Sequence, residues 1–130
     1  MSEHLVEIEL SGDLIKTSLS KEIHDDEELL KSSLEYNLRI KEIFSKNTEK
    51  KFYILMDIRN IKIPTFSIPT ELFKNVHEIT TNPQTIKLAV LGESRIQETV
   101  VEVLFFSLRE KKANYFVDEL KALKWLGATK

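Results

Sequence analysis

The groups with chemical potential in this chain cluster around two arginines. Asp57, Arg59 and Asn60 stand at the end of one apolar run, Phe52 to Ile58, and Gly92, Glu93, Ser94 and Arg95 follow another, Ile86 to Leu91. If both runs are parallel strands, ligands bind beyond their carboxyl ends, and that edge gathers these residues. Arg59 and Arg95 beside a helix N-terminus opened by Ser94 could hold a phosphate or carboxylate, using backbone N–H groups and the helix dipole. Asp57, Arg59, Ser94 and Arg95 are therefore the candidate ligand-binding residues. A plainer reading competes and is preferred: Ser94 only caps its helix, Asp57 pairs with Arg59 or a neighbouring N–H, and Arg95 is solvated.

Other chemistries find little support. Gly92-Glu-Ser-Arg-Ile96 is not a nucleophile elbow, because Ile96 stands where the second glycine is needed. His4, His24 and His77 have no second histidine or carboxylate at metal-ligand spacing on a helix face, so no metal is expected. Asp25-Asp26-Glu27-Glu28 is explained by charge at a helix start. A phosphate-cradling loop needs several glycines, and the chain has 3, widely spaced; no cofactor is expected. With no acid, base and nucleophile set, the chain reads as a non-enzyme.

At 130 residues the chain is expected to form a single domain, 1–130, able to bury a core without a staple. Cysteine is absent, which excludes disulfides and thiolate metal sites and is compatible with a reducing compartment. The start lacks the basic and apolar segments of a signal peptide, and the most apolar stretch, Thr99 to Leu108, is too short to span a bilayer. A cytoplasmic location without membrane insertion is the expectation. The 19 basic and 21 acidic residues are spread along the chain, so no basic face is available for nucleic acid.

The elements that must position the arginines follow from periodicity. Residues 4–19 read as a hairpin: Val6, Ile8 and Leu10 alternate with Glu7 and Glu9, and Gly12-Asp13 makes the turn. That register sets Leu10 opposite Ile15, Ile8 opposite Thr17 and Val6 opposite Leu19, with Glu9 facing Lys16 on the wet side. Asp25 caps a helix running to about Lys46. Its apolar residues, Leu29, Leu30, Leu34, Tyr36, Leu38, Ile40, Ile43 and Phe44, cover more of the wheel than one sheet requires. Strand Phe52–Ile58 precedes a helix opened by Ser67 and Pro69, with a stripe of Leu72, Phe73, Val76 and Ile79, ended by Asn82-Pro83. The next strand buries Ile86, Leu88 and Val90. A third helix opens at Ser94 and is apolar around most of its circumference: Ile96, Val100, Val101, Val103, Leu104, Phe105, Phe106 and Leu108. Tyr115 to Val117 form the last strand, Asp118 caps the last helix, and Gly127 stops it. Alternating strands and helices define an α/β fold with a mixed, mostly parallel sheet, an N-terminal β-hairpin and about four helices.

This order resembles the STAS domain of anti-sigma-factor antagonists and the SpoIIAA-like group. Tyr53-Ile-Leu-Met-Asp-Ile-Arg59 is similar to their central strand ending in aspartate. Asn114-Tyr-Phe-Val-Asp-Glu-Leu-Lys-Ala-Leu-Lys-Trp-Leu126 is similar to their closing signature. The resemblance covers nearly the whole chain and implies a SpoIIAA-like βα superhelix. In the antagonists it also implies a phosphorylatable serine in Asp-Ser-Ser-Gly; here Asp57 is present, the Ser-Ser-Gly is not, and the nearest hydroxyls, Thr65 and Ser67, lack the matching context. That switch is not carried over. SpoIIAA-like proteins also resemble CRAL-TRIO lipid-transfer domains in fold, which supplies an alternative.

The function expected is a non-enzymatic regulatory or protein-interaction module, acting on a protein partner or on itself as a homodimer. Phe105 and Phe106 are adjacent and cannot both face one sheet. If Phe105 points inward, Phe106 and Val103 form a candidate interface unless the first helix covers them. The alternative is a carrier of a small apolar or anionic ligand.

Overall fold

The computed structural model describes residues 4–62, 70–93, 95–107 and 111–127; within these, the side chains of Thr70, Phe73, Arg95, Ile96, Gln97, Val100, Leu104 and Ser107 lie outside the description. The hairpin forms as the alternation requires. Strand β1 (Val6–Ser11) pairs antiparallel with β2 (Leu14–Leu19), in the register Val6–Leu19, Ile8–Thr17, Glu9–Lys16 and Leu10–Ile15. Gly12 takes φ +62° in the turn, a conformation closed to most side chains. Leu10 nevertheless is 48% exposed.

Helix α1 (Asp26–Lys46) is capped by the Asp25 carboxylate, which accepts from the Glu28 N–H at 2.8 Å, with Asp26, Glu27 and Glu28 in the positive first turn. At its far end the carbonyls of Phe44, Asn47 and Lys50 accept from one donor, Nε2 of Gln84, at 3.1, 2.9 and 3.1 Å. A distant side chain thus does the work of a cap. Then come β3 (Phe52–Asp57), α2 (Thr70–Thr81), β4 (Thr85–Leu91), α3 (Arg95–Ser107), β5 (Ala113–Phe116) and α4 (Glu119–Leu126). The expected start of the second helix at Ser67 and Pro69 lies outside the described residues. Asp118 caps α4 by accepting from the N–H groups of Leu120 and Lys121, and Gly127 ends it at φ +75°.

Among the described residues the sheet has five strands in chain order, β1 to β5, of which the β1–β2 pair is antiparallel and the others are parallel. Helices α1, α2 and α3 cover one face. There Tyr36, Ile40 and Phe44, Val76 and Ile79, and Val101 and Phe105 pack on Val6, Ile15, Ile54, Leu88, Val90 and Tyr115. Among the described helices, α4 covers part of the other face, where Ala122 and Leu126 meet Leu55, Ala89 and Leu91.

Two local expectations change. The pairing of β3 with β4 slips by one residue after Phe52, which sits opposite Thr85, whereas Tyr53 sits opposite Lys87. Thr85 therefore takes the core position expected for Ile86, its hydroxyl donating to the Ile79 carbonyl at 2.6 Å, and Ile86 is only half-buried. Val117 falls outside β5 and is exposed, because β4 ends at Leu91 opposite Phe116 and leaves it no partner.

Candidate functional site

Asp57 ends β3, and Arg59 turns back over it two residues later. Asp57 Oδ1 accepts from the Arg59 backbone N–H and from Nε, both at 3.0 Å, and Oδ2 accepts from Nη2 at 2.7 Å. This two-pronged pairing uses the edge of the guanidinium that an anion would need. Asp57 in this way holds the guanidinium pKa above its ordinary value, with burial opposing and the carboxylates of Glu119 and Glu93 adding to the effect. Asn60 is structural: its Nδ2 donates to the Leu19 carbonyl at 3.0 Å, and its own carbonyl accepts from the Ile23 N–H at 2.8 Å. The Gly92 N–H donates to the Phe116 carbonyl at 2.9 Å, and Glu93 pairs with Lys62. Ser94 lies outside the described residues, and Arg95 opens α3 with its side chain outside the description.

Asp57 and Arg59 line an open groove of about 410 Å³ on the sheet face that α4 leaves bare. The sequence reading missed the groove's other charged groups. Glu119, in the first turn of α4, lies 3.4 Å from Lys16 and 3.8 Å from Arg59, and Glu7 and Glu9 complete the wall. Four carboxylates thus face two cations. Only the return of α4 across the sheet brings Glu119 to Lys16, and no local pattern encodes that. Among the described residues, no group of three or more His, Asp or Glu is placed to hold a metal, and no helix is long and apolar enough to cross a membrane.

A second feature is apolar. On α3, Phe105 is buried in the core while Phe106 is 85% and Val103 60% exposed. Helix α1 does not cover them. It leaves its own residues open, Leu34 at 54% and Leu38 at 59%, because its buried arc is partly polar. Ser33 and Asn37 face α2, where Asn75 Nδ2 donates to Ser33 Oγ at 2.7 Å and Asn37 Nδ2 donates to the Asn75 carbonyl at 3.2 Å and to Glu78 at 3.0 Å.

No protein-family model matches the sequence, and none of the curated proteins matches it. Among solved structures it is similar to that of an uncharacterized protein from the DUF3478 family with a SpoIIAA-like fold, from Shewanella loihica PV-4. The two share 16% identity over 97% of this chain and 98% of that one, with a TM-score of 0.60. The chain is a domain of STAS/SpoIIAA-like fold. At that identity the likeness is one of architecture, carried by the mixed five-stranded sheet and four helices.

Proposed function

We propose that this domain performs no chemistry of its own and acts as a regulatory module through protein contacts, two copies meeting on the face of α3 that bears Val103 and Phe106. One observation carries the reading: Phe106 stands 85% exposed beside a phenylalanine that is fully committed to the core. Phe106 and Val103, three residues apart, share one helix face, and adjoining exposed apolar side chains of this kind mark interaction surfaces. Burying Phe106 in a partner contributes about 1.5–3 kcal/mol per copy, and Val103 adds to this. A two-fold contact uses the same patch twice, so one residue type serves both sides.

The test is sedimentation of the purified chain over a concentration series. A dimer that dissociates on dilution is expected, together with loss of the dimer in Phe106→Ser. A monomer at every concentration, with the same behaviour in Phe106→Ser, removes the self-association reading. If that monomer retains a protein from cell extract and Phe106→Ser releases it, the face serves a different partner.

The ligand reading at Arg59 ranks second. An anion there would have to displace Asp57 from the guanidinium and enter a groove with more carboxylates than cations. A phosphate-dependent rise in melting temperature, lost in Arg59→Ala, would restore it to first place.

A further inference from the structure

The sheet ends on one side at β1, and among the described residues no strand pairs with its outer edge. An uncovered edge is a template for a further strand. Alternation assigns its polar groups. The Ser20 N–H donates to the Leu5 carbonyl at 2.9 Å, so Leu5, Glu7, Glu9 and Ser11 turn their backbone groups toward β2. Val6, Ile8 and Leu10 turn theirs outward. Val6 is already provided for, because Glu35 accepts from its N–H and Arg39 donates to its carbonyl. These two side chains of α1 hold it as a neighbouring strand would. Among the described residues nothing does the same for Ile8 and Leu10.

The side chains beside this edge carry an unbalanced charge. Glu7 and Glu9 line the groove, whereas Ile8 packs with Val6 on the side of the first core. In the groove Asp57 is held by Arg59, and Lys16, opposite Glu9 in the register, reaches instead to Glu119 at 3.4 Å. Glu7 and Glu9 are exposed, and among the described residues neither forms an ion pair. Leu10, on the opposite face from them, is also exposed. A second copy of the chain is a poor occupant. Antiparallel pairing of two β1 edges through Ile8 and Leu10 sets Glu9 against its own copy, or Glu7 against Glu9. Like charges directly opposed are destabilising. The two carboxylates thus reject the chain's own edge and complement a cationic one.

We propose that the open edge of β1 takes an extended segment of a partner protein as an added antiparallel strand, one in which basic and apolar residues alternate. Pairing through Ile8 and Leu10 satisfies their N–H and C=O groups. Because side chains alternate between faces, every second residue of the segment lies beside the groove. There lysine or arginine stands opposite Glu7 and Glu9, in the more closely spaced, non-hydrogen-bonded pairs. On the other face apolar residues stand opposite Ile8 and Leu10 and cover the latter. The backbone supplies affinity and the alternation supplies selectivity. Glu35 and Arg39 bound the site at Val6, and the turn at Gly12 bounds it at the other end. Helix α3 packs against β5, at the opposite end of the sheet, so the proposal does not rest on the α3 reading.

The test is a two-dimensional amide NMR titration of the whole chain with a short, end-capped peptide of alternating lysine and valine. The expected result is saturable movement of the Glu7, Ile8, Glu9 and Leu10 amides, with slower hydrogen exchange at Ile8 and Leu10. The same peptide N-methylated at its valines keeps every charge but loses the N–H groups that face β1, and is expected not to bind. N-methylation at the lysines, whose N–H groups point away, is expected to leave binding intact. Replacing Glu7→Gln and Glu9→Gln together is expected to weaken binding about threefold or more. Shifts that never saturate, equal binding of the valine-methylated peptide, or undiminished binding in the double variant would each overturn the proposal. So would Ile8 and Leu10 amides that are protected in the free chain and lose that protection on dilution, which would give the edge to a second copy.

Discussion

The join between the hairpin and the first helix rests on one carboxylate, and its removal has a calculable effect. Glu35 Oε1 accepts from the Leu5 N–H at 2.9 Å, and Oε2 accepts from the Val6 N–H at 3.2 Å and from Arg39 Nη1 at 3.3 Å, with His4 Nδ1 also 3.2 Å away. Arg39 in turn donates to the Val6 carbonyl, so both polar atoms of a 2% exposed residue depend on this pair. In Glu35→Gln one oxygen remains and an NH2 replaces the other, so at least one backbone N–H loses its acceptor. Hydrogen bonds to a charged group contribute about 1.5–3 kcal/mol each. The expected loss is about 2 kcal/mol in urea unfolding at pH 7, or roughly 8 °C in melting temperature for a chain of this length.

The acid side of the same experiment is more discriminating. Burial by itself pushes the Glu35 carboxyl up, but the bonds from Leu5, Val6, Arg39 and His4 together outweigh it and hold the group below its ordinary value of 4.5. A depressed carboxyl contributes stability that is fully present above the unfolded value and is lost as pH falls through the folded one. The gap between parent and Glu35→Gln is therefore expected to be full at neutral pH, to narrow below about 4.5, and to shrink further as the folded value is passed. A variant within about 0.5 kcal/mol of the parent at pH 7 would refute the argument, and so would a gap that stays constant into acid.

Three further outcomes follow from particular contacts. Gln84→Ala removes the side-chain donor shared by the carbonyls of Phe44, Asn47 and Lys50; the first two keep the backbone N–H groups of Asn47 and Lys50, so the expected cost is about 0.5–1.5 kcal/mol by chemical denaturation. Gly127→Ala is expected to cost about 1 kcal/mol through its left-handed φ of +75° alone, since a Cβ there meets nothing within 4 Å, and Gly127→Asn less; melting curves separate them. Lys87 Nζ donates to the Trp125 carbonyl at 2.9 Å and lies 4.8 Å from the centre of its ring. Lys87→Met is therefore expected to shift the emission of the single tryptophan and to lower stability by about 1 kcal/mol.

Elements whose cause is local were legible in the sequence. The alternation of Val6, Ile8 and Leu10 with Glu7 and Glu9 sufficed to set the hairpin register, and Asp25, Asp118 and Gly127 marked helix ends through chemistry confined to a few neighbouring residues. Features that arise from assembly were not. The slip after Phe52 depends on how two strands meet, so alternation alone misplaced Ile86. The sequence shows that the first helix carries more apolar arc than one sheet requires, but only assembly shows that Leu34 and Leu38 are the surplus, because Ser33 and Asn37 face α2. Of the candidate ligand residues, Asp57 and Arg59 do come together, as neighbours two apart on one connection can. The place of Glu119 beside Lys16 and Arg59 was invisible, since it depends on residues far apart in the chain.

Among the described residues the helices are shared unequally between the two sides of the sheet, three against one, and this gives the molecule a weak seam. Leu55, Ala89 and Leu91 are sheltered, among the described residues, by the eight residues of α4, fastened by Ala122, Leu126 and the ring of Trp125. Detaching those two turns would wet the second core while leaving the first intact. Amide protons in α4 should thus exchange with solvent through a partial opening, well before those of β3 and β4, and a protease should find its first cut at the Val117–Asp118 approach to that helix.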